Sequence, residues 1–258
     1  MEAMRLSMVG AVLNLIGLLW LVPVSVTAGE VKVAVTSSFL DTMTAITEEY
    51  QKATGHRVLL NEGSTGELYA QILNGAPFDV YLSSDELDAK DLEEDGFAVQ
   101  GSRFIYTIGR LALWSPKPGR VADDGVQTLR KRDYQHLVIS NPKTNGYGKA
   151  AVQTLKALGV WTEVQERILE AENSRQAFQL VQAGKAELGL VPLGEVLDPD
   201  VKEKGSRWDI PDQLHAPIRH EAVLLERGKT NVVAHELLKF LRGPRARQIM
   251  NQFGYGLP

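Results

Sequence analysis

The chain has 258 residues, a formal net charge of -4 and no cysteine, which excludes disulfide stapling and lipid attachment at a processed N-terminal cysteine. Its 44% hydrophobic and 23% charged residues are the make-up of an ordinary globular protein rather than a disordered one. The mild acidity argues against a nucleic-acid partner, which calls for a basic stripe, but not against a small anion, which neutral dipoles can hold.

Arg5 precedes an apolar stretch over 8–24, and Val26-Thr27-Ala28 is a small-residue cleavage pattern, so residues 1–28 read as a cleaved secretory signal peptide. The stretch approaches the length of a spanning helix, but Pro23 and the small residues after it favour cleavage over an anchor. The expected product is a free monomer in a bacterial periplasm, large enough for one big domain or two lobes.

From there short β-type runs alternate with helical periodicity. Residues 31–35 form a strand. Residues 39–54 form a helix, with Met43, Ile46 and Tyr50 on its apolar face and Gly55 as its stop. A strand over 57–60, a short helix over 67–73 ended by Asn74-Gly75, a strand over 79–82 and a helix over 85–94 stopped by Gly96 follow. Residues 105–114 read as one extended stretch broken at Gly109-Arg110. Beyond it come strands over 137–139 and 188–191 with helices over 148–158 and 175–183. A second extended stretch over 218–225 precedes closing helices over 231–241 and 244–253. The alternation signals an α/β fold with a largely parallel sheet, and the two extended crossovers signal a chain that leaves one lobe and later returns to it. The expected parts are 29–109 for lobe one, 110–217 for lobe two and 218–258 for the returning part of lobe one.

Two hydroxyl runs, Thr36-Ser37-Ser38 and Ser64-Thr65-Gly66, sit between a strand and a helix. Serine and threonine are ordinary N-caps there. The same position is also an anion cradle, because a helix start presents unpaired N–H groups and roughly half a positive charge, and ligands of open α/β sheets bind beyond the carboxyl ends of strands. Enzyme motifs fail. Arg227-Gly228-Lys229-Thr230 ends like a phosphate loop, but Val223 stands where its first glycine belongs, and Gly63-Ser64-Thr65-Gly66 lacks the spacing of a nucleophile elbow. The histidines, His215, His220 and His235 among them, fit no zinc spacing and read as surface residues; Asp79, Asp85 and Asp88 read as strand-end and helix-cap residues.

Three segments together carry a family likeness: Val31-Lys32-Val33-Ala34-Val35-Thr36-Ser37-Ser38-Phe39, then Gly63-Ser64-Thr65-Gly66-Glu67-Leu68-Tyr69-Ala70-Gln71-Ile72, then Asn74-Gly75-Ala76-Pro77-Phe78-Asp79-Val80-Tyr81-Leu82-Ser83-Ser84-Asp85. With Ile139-Ser140-Asn141-Pro142, Tyr147-Gly148, Ala186-Glu187-Leu188-Gly189, Gly243-Pro244 and Gly254-Tyr255, they resemble in order the periplasmic molybdate-binding proteins of ABC transporters. The resemblance implies a type II periplasmic binding protein fold, in which two α/β lobes joined by two crossing strands clasp a ligand in the cleft between them. It implies capture of molybdate, and of tungstate, for delivery to a membrane permease, with no cofactor, no catalysis and molybdenum held only as its oxyanion.

Carried over position by position, the resemblance makes Ser37, Ser38 and Thr65 ligands from lobe one. From lobe two it makes Tyr147 a ligand through its backbone N–H, and Ser174 one at the start of another helix. Ser64 and Gly66 shape the second loop, and Asn173 shares the Ser174 position. Where some relatives carry a ligand tyrosine after Leu-Gly-x-Val, Pro192 follows Val191 here and has no N–H to donate. The donor set, hydroxyls and N–H groups without a carboxylate, suits a fully ionised tetrahedral anion. Arg175 is expected to face solvent. Another tetrahedral oxyanion such as sulfate, and a periplasmic hydrolase using Asp41 or Glu67 as base, are the remaining readings.

Overall fold

The computed structural model describes residues 28–258, so the signal-peptide reading lies outside the described residues except for Ala28. The chain opens with β1 (Glu30–Thr36), a 3-10 turn over Ser37–Phe39, α1 (Leu40–Thr54), β2 (Arg57–Gly63), α2 (Thr65–Leu73), β3 (Val80–Ser83), α3 (Glu86–Glu94) and β4 (Phe104–Gly109). It continues through β5 (Leu111–Ser115), α4 (Gly125–Lys131), β6 (Leu137–Ser140), α5 (Gly146–Ala157), α6 (Trp161–Val164), β7 (Ile168–Ala171), α7 (Ser174–Gln182), β8 (Leu188–Pro192), α8 (Leu193–Leu197) and β9 (Ser206–Asp209). It closes with β10 (Ile218–Leu224), α9 (Val232–Leu241) and α10 (Pro244–Gln252).

These elements build two five-stranded sheets, ordered β2-β1-β3-β10-β4 and β7-β6-β8-β5-β9, each the centre of one lobe. Both are mixed rather than largely parallel. In the first, β1 runs parallel to β2 and β3 while β10 pairs antiparallel with β3 and β4. In the second, β6 is parallel to β7 and β8, and β5 is antiparallel to β8 and β9. The antiparallel members are the strands next to the crossovers, where the direct run from β4 into β5 and the return along β10 reverse the chain direction. Alternation by helix and strand shows the parallel units, but not this reversal.

Central strands are buried on both faces. Val31, Val33 and Val35 pack with Phe39, Met43 and Ile46 of the turn and α1, whereas Ala34, between them on the chain, faces Leu68, Tyr81 and Leu92 on the other side. In the second lobe Leu111 and Leu113 meet Ala151 and Leu155 of α5, and Trp114 stacks on Phe178 of α7 with centroids 4.7 Å apart. Every strand that leads into a helix at the cleft is thereby held in a rigid layer. The elements α4, α6, α8, β7 and β9 were not read from the sequence; α6 and α8 span little more than one turn, too short to show a repeat.

Near the crossover stands His220, fully buried on β10 and not at the surface as its sequence context indicated. Its ring nitrogens stand 3.3 Å from the Tyr106 hydroxyl and 3.1 Å from the Tyr147 hydroxyl, so each nitrogen of a neutral imidazole has a partner that can donate or accept. Tyr147 belongs to α5 and Tyr106 to β4, which makes His220 a polar tie between the lobes. Burial pushes the His220 pKa down to about 3 from 6.5. The unfolded chain therefore binds a proton in this interval that the folded chain refuses, and the stability from neutral His220 is full above the unfolded pKa and lost as pH falls. Urea denaturation between roughly pH 4 and 6 should show wild-type stability falling with acidification more steeply than that of His220→Gln, by up to about 1.4 kcal/mol per pH unit.

Candidate oxyanion site

Four helical starts meet across the cleft, each at the end of a strand or the loop after it. The first is the 3-10 turn that begins at Ser37 directly after β1. The second is α2, which begins at Thr65 with Ser64 as N-cap, its hydroxyl accepting from Glu67 N–H at 3.2 Å. The third is α5, capped by Asn145, and the fourth is α7, capped by Asn173, whose Oδ1 accepts from Gln176 N–H at 2.9 Å. Cap residues of these types compete well for orphan N–H groups, which is why the helices begin where they do.

A chain of contacts joins the four starts. The Thr65 hydroxyl lies 3.1 Å from that of Thr36 and 2.8 Å from that of Ser84, linking α2 to the end of β1 and to the loop after β3. Gly66 N–H points at the Thr144 carbonyl, 3.4 Å away in the other lobe. The Ser174 hydroxyl donates to Asn145 Oδ1 at 3.1 Å, which ties α7 to α5, and α7 packs against the Ser37 turn. Gly146 fits so tightly against lobe one that a Cβ there would collide with the Ser84 carbonyl.

Within this ring the Ser37 and Ser38 hydroxyl oxygens are buried and have no hydrogen-bond partner in the protein, and the same holds for Asn145 Nδ2. Buried polar groups in folded proteins are nearly always paired, because leaving one unmade costs about 1–3 kcal/mol. Serine hydroxyls and an amide N–H can all donate. Together with N-terminal N–H groups and the partial positive charge of helix starts, they form a donor set of the kind that suits an anion. Among the described residues no carboxylate hydrogen-bonds to either serine, and the buried Glu195 stands on α8, which packs against the Ser37 turn. Glu67 is exposed and its Oε1 accepts from Gln71, and Asp41 pairs with Arg175.

The residues expected from the sequence therefore stand together at one place, in different states. Ser37 and Ser38 offer free hydroxyls. Thr65 offers its hydroxyl within the Thr36–Ser84 cluster, with Ser64 and Gly66 on either side. Tyr147 N–H is accepted by Asn145 Oδ1 at 2.9 Å, and the Tyr147 side chain points to His220. Ser174 and Asn173 occupy the first turn and the cap of α7. Pro192 ends β8 and leads into α8, adding no N–H.

Ser84, Asn145 and Glu195 were not singled out from the sequence, and His220 was read as a surface residue. Ser84 follows a strand and precedes a helix exactly as the two hydroxyl runs do, so the same rule would have found it, and Asn145 carries an ordinary N-cap signal. For Glu195 and His220 no local signal exists, since burial alone makes them unusual. Burial, the largest influence, pushes the Glu195 carboxyl up to about 8, with Arg175 opposing and Asp41, Glu62 and Asp198 adding to the rise. Arg175 is not solvent-facing: its side chain is 22% exposed and turned between Asp41 and Glu62.

Comparison with known proteins places this geometry in context. The chain is 45% identical over 230 residues to the molybdate-binding protein ModA of Azotobacter vinelandii, covering 89% of this chain and 91% of that protein. It is 38% identical over 228 residues to the molybdate-binding protein ModA of Rhodobacter capsulatus, covering 88% of each. The solved periplasmic molybdate-binding protein of Azotobacter vinelandii superimposes with a TM-score of 0.85 at 39% identity, covering 88% of this chain and 99% of that one. Over residues 31–256 the sequence matches the bacterial extracellular solute-binding proteins, and the chain belongs to that family.

Proposed function

We propose that the chain is a periplasmic molybdate-binding protein that also takes tungstate, works as a monomer without a cofactor, and delivers its anion to the permease of an ABC transporter. The observation that carries this reading is the pair of buried, unpartnered hydroxyls at Ser37 and Ser38 where four helical starts meet. In this reading 29–109 and 218–258 form lobe one and 110–217 forms lobe two. Lobe one receives the anion on Ser37, Ser38 and Thr65, and closure brings onto it the N–H of Ser174 and that of Tyr147, which exchanges its bond to Asn145 Oδ1 for one to the anion. A dianion without bound protons fits donors alone, and roughly half a positive charge from each helical start offsets its charge. Among the described residues neither Ser37 nor Ser38 hydrogen-bonds a carboxylate, and the buried carboxyl of Glu195 stands on α8, which packs against the Ser37 turn.

Calorimetry on the protein with molybdate, tungstate, sulfate and phosphate tests this directly. One-to-one heat with molybdate and tungstate, far tighter than with sulfate, is expected; silence with molybdate beside tight sulfate binding, or hydrolysis of a phosphate or sulfate ester, would overturn it. Each of Ser37→Ala and Ser38→Ala removes one hydrogen bond to a charged ligand, about 1.5–3 kcal/mol, so affinity should fall roughly ten- to hundredfold per substitution while the unfolding midpoint holds or rises. Gly146→Ala should weaken binding by at least about tenfold through the Ser84 carbonyl, with the loss concentrated in a faster off-rate, as stopped-flow displacement would show.

A further inference from the structure

Closing the cleft brings two acidic edges together where α7 and α8 pack against the Ser37 turn. Lobe one contributes Asp41 at the first turn of α1 and Glu62 near the end of β2. Lobe two contributes Glu195, on α8 with only 4% of its surface exposed and its Oε1 unpartnered, and Asp198 at the end of the same helix. Burial, and then Asp41 across the cleft, raises the Asp198 pKa, so these carboxyls feel one another. Arg175, the second residue of α7, is the cation among them. Its Nη2 stands 2.7 Å from Asp41 Oδ1 and its Nε 3.1 Å from Glu62 Oε1, ion-pair contacts without hydrogen-bond alignment. Both contacts run from lobe two to lobe one.

We propose that Arg175 is the latch of the closed cleft, a positioning residue that neutralises the facing carboxylates and so allows the lobes to meet around the ligand. This rests on the capture reading above. The argument is one of charge balance. With Arg175 in place, Asp41 and Glu62 share a partly buried guanidinium, whose planar fork can face two carboxylates at once. Without it, closure would bring the charges of Asp41 and Glu62 against Asp198 in a half-desolvated seam, where they interact far more strongly than in water, while burial keeps Glu195 largely uncharged. Lys149 and Asp85 form a second ion pair between the lobes, beside Asp88, whose carboxyl is pushed up to about 6 by burial and then by Asp85. Because Arg175 adjoins Ser174, the latch and the α7 donor move as one body.

Two readouts test it. In stopped-flow displacement of molybdate, Arg175→Met should release the anion at least about tenfold faster than wild type, equivalent to about 1.4 kcal/mol. Adding Asp41→Asn and Glu62→Gln to Arg175→Met should recover much of that loss, since the repulsion goes with the carboxylates. If the latch instead acts only as packing bulk, the triple variant releases as fast as the single one, and the proposal falls. Equal release by Arg175→Met and wild type also overturns it. The second readout needs no ligand. The chain has no cysteine, so spin labels at Lys52→Cys in lobe one and Glu166→Cys in lobe two report the lobe separation cleanly. Arg175→Met should shift ligand-free protein toward longer distances, and an unchanged distribution refutes the latch. Failure of wild type to bind molybdate would refute the capture reading, while the distance measurement still decides the latch.

Discussion

A doubly charged oxyanion can leave water only if every lost hydration contact is replaced, and the fold answers that demand with donors rather than counter-charges. Helical starts provide N–H groups and partial positive charge without a side chain that must itself be desolvated. Hydroxyls add donors whose protons rotate to suit the ligand. The rest of the architecture follows from having to aim these starts at one point. Strands buried on both faces hold them still, and the end of each cleft-facing strand lies where its helix begins.

The burial of Ser37 and Ser38 hydroxyls without protein partners is a standing cost to the folded state, which a bound anion repays in the capture role proposed above. By contrast, Thr36, Thr65 and Ser84 satisfy one another, and Asn145 satisfies the first N–H groups of α5 together with the Ser174 hydroxyl. The pocket thus divides into a pre-organised frame and three open donors, the Ser37 and Ser38 hydroxyls and Asn145 Nδ2. Such a division favours affinity, since little side-chain ordering remains to be done on binding.

Between the lobes the chemistry changes character. Near the crossover, His220 is kept neutral by burial and bridges two tyrosines, a tie insensitive to ordinary changes of pH. At the cleft edge, charges meet in excess of one sign, and Arg175 balances them. One contact set therefore holds the lobes in register, and another governs how readily they come together.

Much of this was legible along the chain. Hydrophobic alternation located the strands that form each sheet, and the hydroxyl runs at 36–38 and 64–66 marked the helical starts, because both signals are local and depend on neighbours within a few residues. The likeness to a known family carried the reading across to Tyr147 and Ser174. The antiparallel halves of the sheets, the burial of His220 and Glu195 and the turning of Arg175 toward Asp41 and Glu62 were decided only in three dimensions. Each depends on residues far apart in sequence being brought together, and on the dielectric that their packing creates, neither of which a local pattern records.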